Sequence, residues 1–394
     1  MSNTTQEFRL TRLGLKQEFR REFDFLASFG LSFIVQSPLL GVSIGLTYAW
    51  QTGGPASASW GWVIVSVGSM FVGLSMAEIV SALPASGGPF FWSSWLGGTQ
   101  GPVLSFVTGW LNMFGQLALS TGNAISAVSS VAAIVSMTTG NPLSGAHQLL
   151  LQLGILVLGG AVNICQPRTV ARFLALGIFV NFVGVIFVVL LLPAVAPWRQ
   201  SPKFVFTTFF DKSLSPNEVP SNTYLWFQAL CMGLFTIAGY DCCSHITEET
   251  KGADVLTPLA IIYSIAASAI LGYVLLLGLL FCVQDKDPWA LLNPDNQAHG
   301  FVAGQLVWDM FAARFGTGAG SASVLCICAV SGIMCTAASL TSNSRCLFAF
   351  ARSRAVPFSS FCKHVQPGHR LDCAGLDPRI LGGSVSTRNL SSGD

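Results

Sequence analysis

Charge is what this 394-residue sequence has least of: Asp, Glu, Lys and Arg make up only 10% of it, against about 25% in an ordinary soluble domain. None of the four occurs in residues 25–77, 79–167, 255–284 or 315–344. A bilayer crossing takes about 20 predominantly apolar residues, so each interval holds at least one span and the longest hold several. A soluble domain is excluded, and a hydrophobic content of 52% with mean hydropathy +0.60 agrees. The net charge of +2 offers no basic surface, so no nucleic-acid partner is expected. Alternating strands of a membrane β-barrel are missing, as is a cleavable leader: the N-terminus is polar and the first apolar run is long enough to span. No metal-type spacing such as HExxH is present. No catalytic residue, metal or cofactor is therefore expected. A hydrolase built on Cys242, Cys243 and His245 is disfavoured because adjacent cysteines point apart on a helix. The eleven cysteines are scattered, several inside apolar runs (Cys165, Cys282, Cys326, Cys328, Cys335), where they suit core packing better than disulfides.

What remains is an all-α polytopic membrane protein. Arg9, Arg12, Lys16, Arg20 and Arg21 crowd the segment before the first span, which places the tail 1–24 in the cytoplasm by the positive-inside rule. Spans are expected near 26–50, 60–83, within 102–137, and near 148–164, 173–195, 222–252, 256–283 and 321–340. The basic loop at Arg168 and Arg172, and the exit carrying Arg345, Arg352, Arg354 and Lys363, fall on the tail's side. A segment at 303–314 is expected to be re-entrant or amphipathic. After Val365 the apolar periodicity stops, and 366–394 reads as disordered.

Two spans are interrupted. The first breaks at Gln36-Ser37-Pro38 and continues through Gly41 and Gly45; proline removes a donor and clashes with the preceding turn, although a simple kink or a small-residue packing seam gives the same pattern. The sixth, NTYLWFQALCMGLFTIAGYDCCSHITEETKG (222–252), loses helical character at Phe235-Thr236-Ile237-Ala238-Gly239. It then runs through Tyr240 and Asp241 to Glu248, Glu249 and Lys251. Half-helix ends present unpaired backbone groups at bilayer depth, which suits a transport site. Candidate substrate contacts are Gln36, Ser37 and Gly41 from the first span, and Phe235, Thr236, Gly239, Tyr240 and Asp241 from the sixth. Asp241 can contact an amine or cap the second half-helix. Glu248 and Glu249 read as a gate, with Arg345 as partner, or as a solvated face. Glu78, the one charge in a long apolar region, reads as an interfacial carboxylate capping a gate or neighbouring helix, more than as a proton carrier.

Four stretches together resemble a family. SMAEIVSALPASGGPFFWSSWL (75–96), FTIAGYDCCSHITEETKGA (235–253), SLTSNSRCLFAFARSRAVPFSSF (339–361) and GLSFIVQSPLLGVS (30–43) are similar to signature segments of the amino acid–polyamine–organocation permeases, most of all their fungal amino acid/choline/GABA branch. The resemblance covers about 23–365. It implies two inverted five-helix repeats plus two further helices, with discontinuous helices 1 and 6. About eight of twelve expected spans are present, so the permease domain at 25–365 has an incomplete second repeat, and a truncated or shortened form with an aberrant tail at 366–394 is expected. It also implies secondary active transport of an amino acid or related amine (GABA, choline or polyamine class) at the plasma membrane, with protons co-transported and the lipid bilayer as surroundings. Some bacterial members of the family use a lysine in the fifth span; this fifth span has none, so no residue is assigned the proton. The alternative is a non-transporting permease-like protein, a sensor or pseudogene product.

Overall fold

The computed structural model describes residue 19 and residues 21–210, 221–284 and 288–362. The tail at 366–394 and most of the tail at 1–24 lie outside them. Among the described residues the ordered structure is helical apart from isolated bridge residues, of which Phe23 pairs in parallel with Thr250. Eight helical spans among the described residues are long and apolar enough to cross a bilayer. In chain order the helices are α1 (Phe25–Gln36), α2 (Pro38–Gln51), α3 (Gly54–Ala82), α4 (Pro89–Leu96), α5 (Gly101–Thr139), α6 (Gly145–Ile164), α7 (Pro167–Val195), α8 (Pro202–Thr207), α9 (Asn222–Ile237), α10 (Ala253–Phe281), α11 (Val302–Phe315), α12 (Ser321–Arg352) and α13 (Ser359–Cys362).

The bundle is built around the first span, α1 and α2 together. A helix apolar on all sides belongs in the interior, and every residue of α1 from Gly30 to Gln36 is buried. α1 starts at Asp24, whose carboxylate accepts a hydrogen bond from the Ala27 N–H at 3.0 Å. It stops at Ser37, whose φ of 32° is left-handed. Pro38 then opens α2 at a position where a missing N–H is no loss. The peripheral spans invert the soluble pattern: α6 buries only Ile155 and Gly159, and turns Leu149, Leu150, Leu153, Val157 and Leu158 outward. Lipid accepts such faces because every backbone group is already bonded within its helix.

The two most extensive helix pairings join α5 to α12 and α3 to α10. In spans these are 3 with 8 and 2 with 7, while the two interrupted spans, 1 and 6, touch at their breaks. A constant offset of five spans is what a five-span repeat produces. Because five is odd, the members of each pair run in opposite directions. Small residues set the approach: a Cβ on Gly332 would lie 2.7 Å from that of Ala127, and one on Gly272 would overlap the Trp62 ring, whose Nε1 donates to the Ala269 carbonyl at 2.9 Å. Gly272→Ala is therefore expected to cost about 1–3 kcal/mol through overpacking. Thermal unfolding in nanodiscs, followed by tryptophan fluorescence, measures it.

Two boundaries differ from expectation. The eighth span does not end near Leu340 but runs as helix to Arg352, with Ser342 and Arg345 buried. The polar run reads as an exit only until its partners on the sixth span are known. The sixth span breaks slightly later than expected, at 238–241: Phe235 and Thr236 are still helical, Ala238 is extended (φ −62°, ψ 152°), and Gly239 has φ 91°. Its second half, Cys242–Glu249, is a 3-10 helix. The segment at 303–314 is the helix α11, buried on all sides over its first half (302–307) and more exposed over its second.

Candidate functional site

The two breaks meet at one level of the bundle. A Cβ on Gly41 would collide with Thr236, one on Gly45 would lie 2.7 Å from Met232, and one on Gly239 would lie 2.5 Å from Val35. The Ser32 hydroxyl ties the spans together, donating to the Tyr240 carbonyl at 3.0 Å and accepting from the Cys243 N–H at 3.1 Å. Of the residues singled out in the sequence, Gln36, Ser37, Gly41, Thr236, Gly239, Tyr240 and Asp241 are brought together here. Phe235 is 38% exposed, and its ring edge lies where a Cβ on Gly122 of α5 would sit 3.4 Å away. It stands over the gap between the third and sixth spans.

Several of these side chains already have partners. Ser37 Oγ donates to Asn181 Oδ1 of α7 at 2.8 Å and lies 2.8 Å from Ser331 Oγ of α12, so the break is pinned to two neighbouring spans. Gln36 Nε2 donates to Ser264 Oγ of α10 at 3.1 Å, but Gln36 Oε1 is buried and has no hydrogen-bond partner among the described residues. The Nδ2 of Asn123, on the buried face of α5, is likewise unpartnered. Unsatisfied polar atoms in a dry interior cost about 1–3 kcal/mol each, so a polar ligand at this level finds ready acceptors and donors.

Asp241 departs from one of its expected roles. It occupies the N-cap position of the 3-10 segment, yet its side chain bonds none of that segment's N–H groups. Its Oδ2 instead accepts from Gln116 Nε2 of α5 at 3.4 Å and faces His245 Nε2 at 3.6 Å. The backbone turn is closed by the Asp241 carbonyl, which accepts from the Ser244 N–H at 2.8 Å. The carboxylate is thereby turned toward α5 and His245 instead of the N–H groups of its own segment.

Below the break, toward the Phe23 end, lies a buried ionic cluster. Glu249 and Arg345 pair at 3.0 Å, and Glu248 accepts both terminal nitrogens of Arg352, at 2.7 and 2.9 Å. Both glutamates are fully buried, so the solvated-face alternative is wrong. Arg352 is a partner that sequence reasoning missed, because it was placed outside the membrane beyond a span taken to end near Leu340. The segment between α3 and α4 joins in through Ser86: its N–H donates to Glu248 Oε1 at 3.2 Å, and its hydroxyl accepts from the Glu248 N–H at 3.1 Å. Arg21 closes the edge by donating to the Thr250 carbonyl at 2.9 Å. Glu78 is not part of this cluster: it is exposed near the end of α3, and no hydrogen bond or ion pair joins it to a described residue. Its expected capping of a gate or helix is therefore not seen.

At the opposite end a cavity of about 460 Å³ lies between the outer part of α2, α5 and the 298–301 turn, with Thr47, Tyr48, Gln51, Ser129 and Gln148 on its walls. Among the described residues no group of three His, Cys, Asp or Glu is placed to hold a metal ion. Cys242 and Cys243 have different neighbours, Gln116 and the Thr257 carbonyl respectively.

Residues 23–371 match the sequence profile of the family described as Amino acid permease. The chain belongs to that family. Among its relatives is the "Amino-acid permease BAT1 homolog" of Oryza sativa subsp. japonica, 37% identical over 363 residues, an alignment covering 90% of this chain and 69% of the relative. The "Amino-acid permease BAT1" of Arabidopsis thaliana is 35% identical, with the same coverage. The "GABA-specific permease" of Saccharomyces cerevisiae is 26% identical over 90% of this chain and 61% of the relative. The relatives thus come from plants as well as fungi, and the chain spans about two thirds of their length. The family and the relatives' names are those of transmembrane amino acid transporters, not of enzymes, and the chain is an integral multi-pass membrane protein.

Proposed function

We propose that this chain moves an amino acid or related amine, of the GABA, choline or polyamine class, across the membrane by alternating access, with protons co-transported. The observation that carries the reading is the contact between two broken spans, with unpartnered polar atoms at their level. The N-terminal turn of α2 presents the Leu39 N–H and the positive end of a helix dipole to a substrate carboxylate, since Pro38 has no N–H and that of Leu40 already donates to Ser37 Oγ at 3.4 Å. Across the break, the Tyr240 ring and the Asp241 carboxylate suit an ammonium group, the ring contributing about 0.5–2 kcal/mol by a cation–π contact.

The ionic cluster is the gate in this reading. Glu248 with Arg352 and Glu249 with Arg345 hold the inner half of the sixth span to α12 and to the 84–88 segment, while the cavity at the other end admits substrate. The conformation is thus closed at the basic end and outward-facing. The basic residues of the tail at 1–24 put that end in the cytoplasm of a cell whose plasma membrane holds the protein. The permease domain is taken as 25–365, between tails at 1–24 and 366–394.

The test is uptake by the 394-residue chain in a permease-deficient cell, using labelled choline, alanine, 4-aminobutyrate and putrescine in mutual competition. Saturable uptake of at least one compound, inhibited by its own class, is the expected result. If none of the four enters above the vector control, the chain is a permease-like protein that does not transport.

A further inference from the structure

One titratable side chain beside the break has no task in the reading above. His245 is completely buried, one helical turn past Asp241. Its Nδ1 lies 3.2 Å from the Ser86 carbonyl oxygen. A carbonyl oxygen only accepts, so Nδ1 carries the hydrogen, and this contact fixes the tautomer. The other ring nitrogen, Nε2, then holds a lone pair. It faces Asp241 Oδ2 at 3.6 Å and has no hydrogen-bond partner among the described residues. Two acceptors facing each other in a dry interior are unfavourable, and one proton between them turns the repulsion into a charge-assisted hydrogen bond.

We propose that Asp241 and His245 form a proton-binding site, holding one proton between Oδ2 and Nε2, and that this is the proton taken up and released in each transport cycle; this rests on the transport reading above. The proton comes from water on one side and leaves to water on the other, and no other bond changes. Access is through Asp241, whose side chain keeps 19% of its surface open while His245 keeps none.

The surroundings leave this pair as the uncompensated one. On the sixth span itself, Glu248 and Glu249 are already neutralised by Arg352 and Arg345 of α12. α12 also brings the Cys346 thiol within electrostatic range of Asp241, as the sixth span does Cys242 and Tyr240. α5 supplies the neutral Gln116, while α1 and α10 reach the neighbouring Cys243 through the Ser32 hydroxyl and the Thr257 carbonyl, and α10 also carries the buried carboxyl of Asp254. Among the described residues no arginine or lysine is paired with Asp241. The far side of the imidazole bonds Ser86, the same residue that caps and accepts from Glu248. Gain or loss of the proton is therefore felt directly by the segment that closes the gate.

Two measurements on the reconstituted full chain test the site. Nitrogen-15 NMR of labelled histidine, with His245→Gln giving the assignment, reads the tautomer. His245 is expected as Nδ1–H when neutral and doubly protonated on acidification, with Asp241→Asn displacing that titration. A neutral Nε2–H form, or a titration indifferent to Asp241→Asn, overturns the proposal whether or not the chain transports. The second measurement is accumulation in liposomes at zero membrane potential under a gradient of about one pH unit, using the best-transported of the four panel compounds. One coupled proton gives about tenfold accumulation. His245→Gln is expected to lose it and only equilibrate, while still exchanging labelled for unlabelled substrate in counterflow. Retained tenfold accumulation by His245→Gln refutes the site. Wild-type counterflow without accumulation instead refutes proton coupling, and absence of both refutes transport; in either case the NMR result still decides whether the pair binds a proton.

Discussion

Arg345→Ala is expected to lower the stability of the folded protein by about 3–5 kcal/mol, the usual consequence of removing one partner from a buried ion pair. Glu249 is 1% exposed, and only one of its oxygens, Oε1, meets the guanidinium, while Oε2 has no hydrogen-bond partner among the described residues. Without Arg345 an ionised carboxylate stays in the interior with no countercharge. Arg352→Ala removes a bidentate partner, yet its effect is expected to be smaller. Arg352 is 20% exposed, so water can follow it in, and Glu248 keeps the Ser86 N–H. The measurement is chemical unfolding in a defined detergent, with Glu249→Gln added to each background. If the loss comes from the stranded charge, Arg345→Ala with Glu249→Gln recovers most of it. A loss below about 0.5 kcal/mol for Arg345→Ala, the scale of an ordinary surface substitution, means that the pair does not form.

The same cluster marks how far the sequence could be read. The number of spans followed from hydropathy alone, because lipid admits only long apolar helices here and charge-free intervals announce them. The break in the first span was equally visible: Pro38 has no N–H to give, and a residue before proline is pushed out of the helical region. Helix ends defined by tertiary partners were not visible. Ser342, Asn343 and Arg345 look like a polar exit in one dimension, and only Glu249, almost a hundred positions earlier, makes it favourable to keep them helical and buried.

The site was legible to the same degree. The pattern of glycines and a proline located the breaks, since close approach and left-handed backbone restrict residue choice. It could not say which polar side chains are already spent on each other. Ser37 is engaged with Asn181 and Ser331, whereas Gln36 keeps a free oxygen. The Asp241–His245 pair carried a faint signal, the spacing i to i+4 that puts two side chains on one helix face. In a 3-10 segment that spacing is less favourable, and the two atoms stand 3.6 Å apart rather than in hydrogen-bond contact. The contact between His245 and Ser86, which fixes the tautomer, spans residues 159 positions apart and has no sequence signature.

Gly239→Ala is expected to destabilise the protein by about 2–6 kcal/mol, as the sum of two separable penalties, each of about 1–3 kcal/mol. The first is conformational: Gly239 has φ 91°, outside the regions that an alanine occupies readily. The second is steric, since the new Cβ would lie 2.5 Å from Val35 Cγ1 and 3.4 Å from Leu119 Cδ2. Val35→Ala removes the first of those atoms and should return the steric share without touching the conformational one. The double variant is then expected to sit midway between wild type and Gly239→Ala, after correction for the cavity that Val35→Ala makes on its own. Unfolding free energies of the four proteins give the interaction term directly. Full recovery in the double variant would mean that the left-handed turn contributes nothing, and no recovery would mean that the first and sixth spans do not meet at Val35. In transport the order should follow stability, because the turn at 238–241 fixes where the Tyr240 ring and the Asp241 carboxylate stand relative to the start of α2.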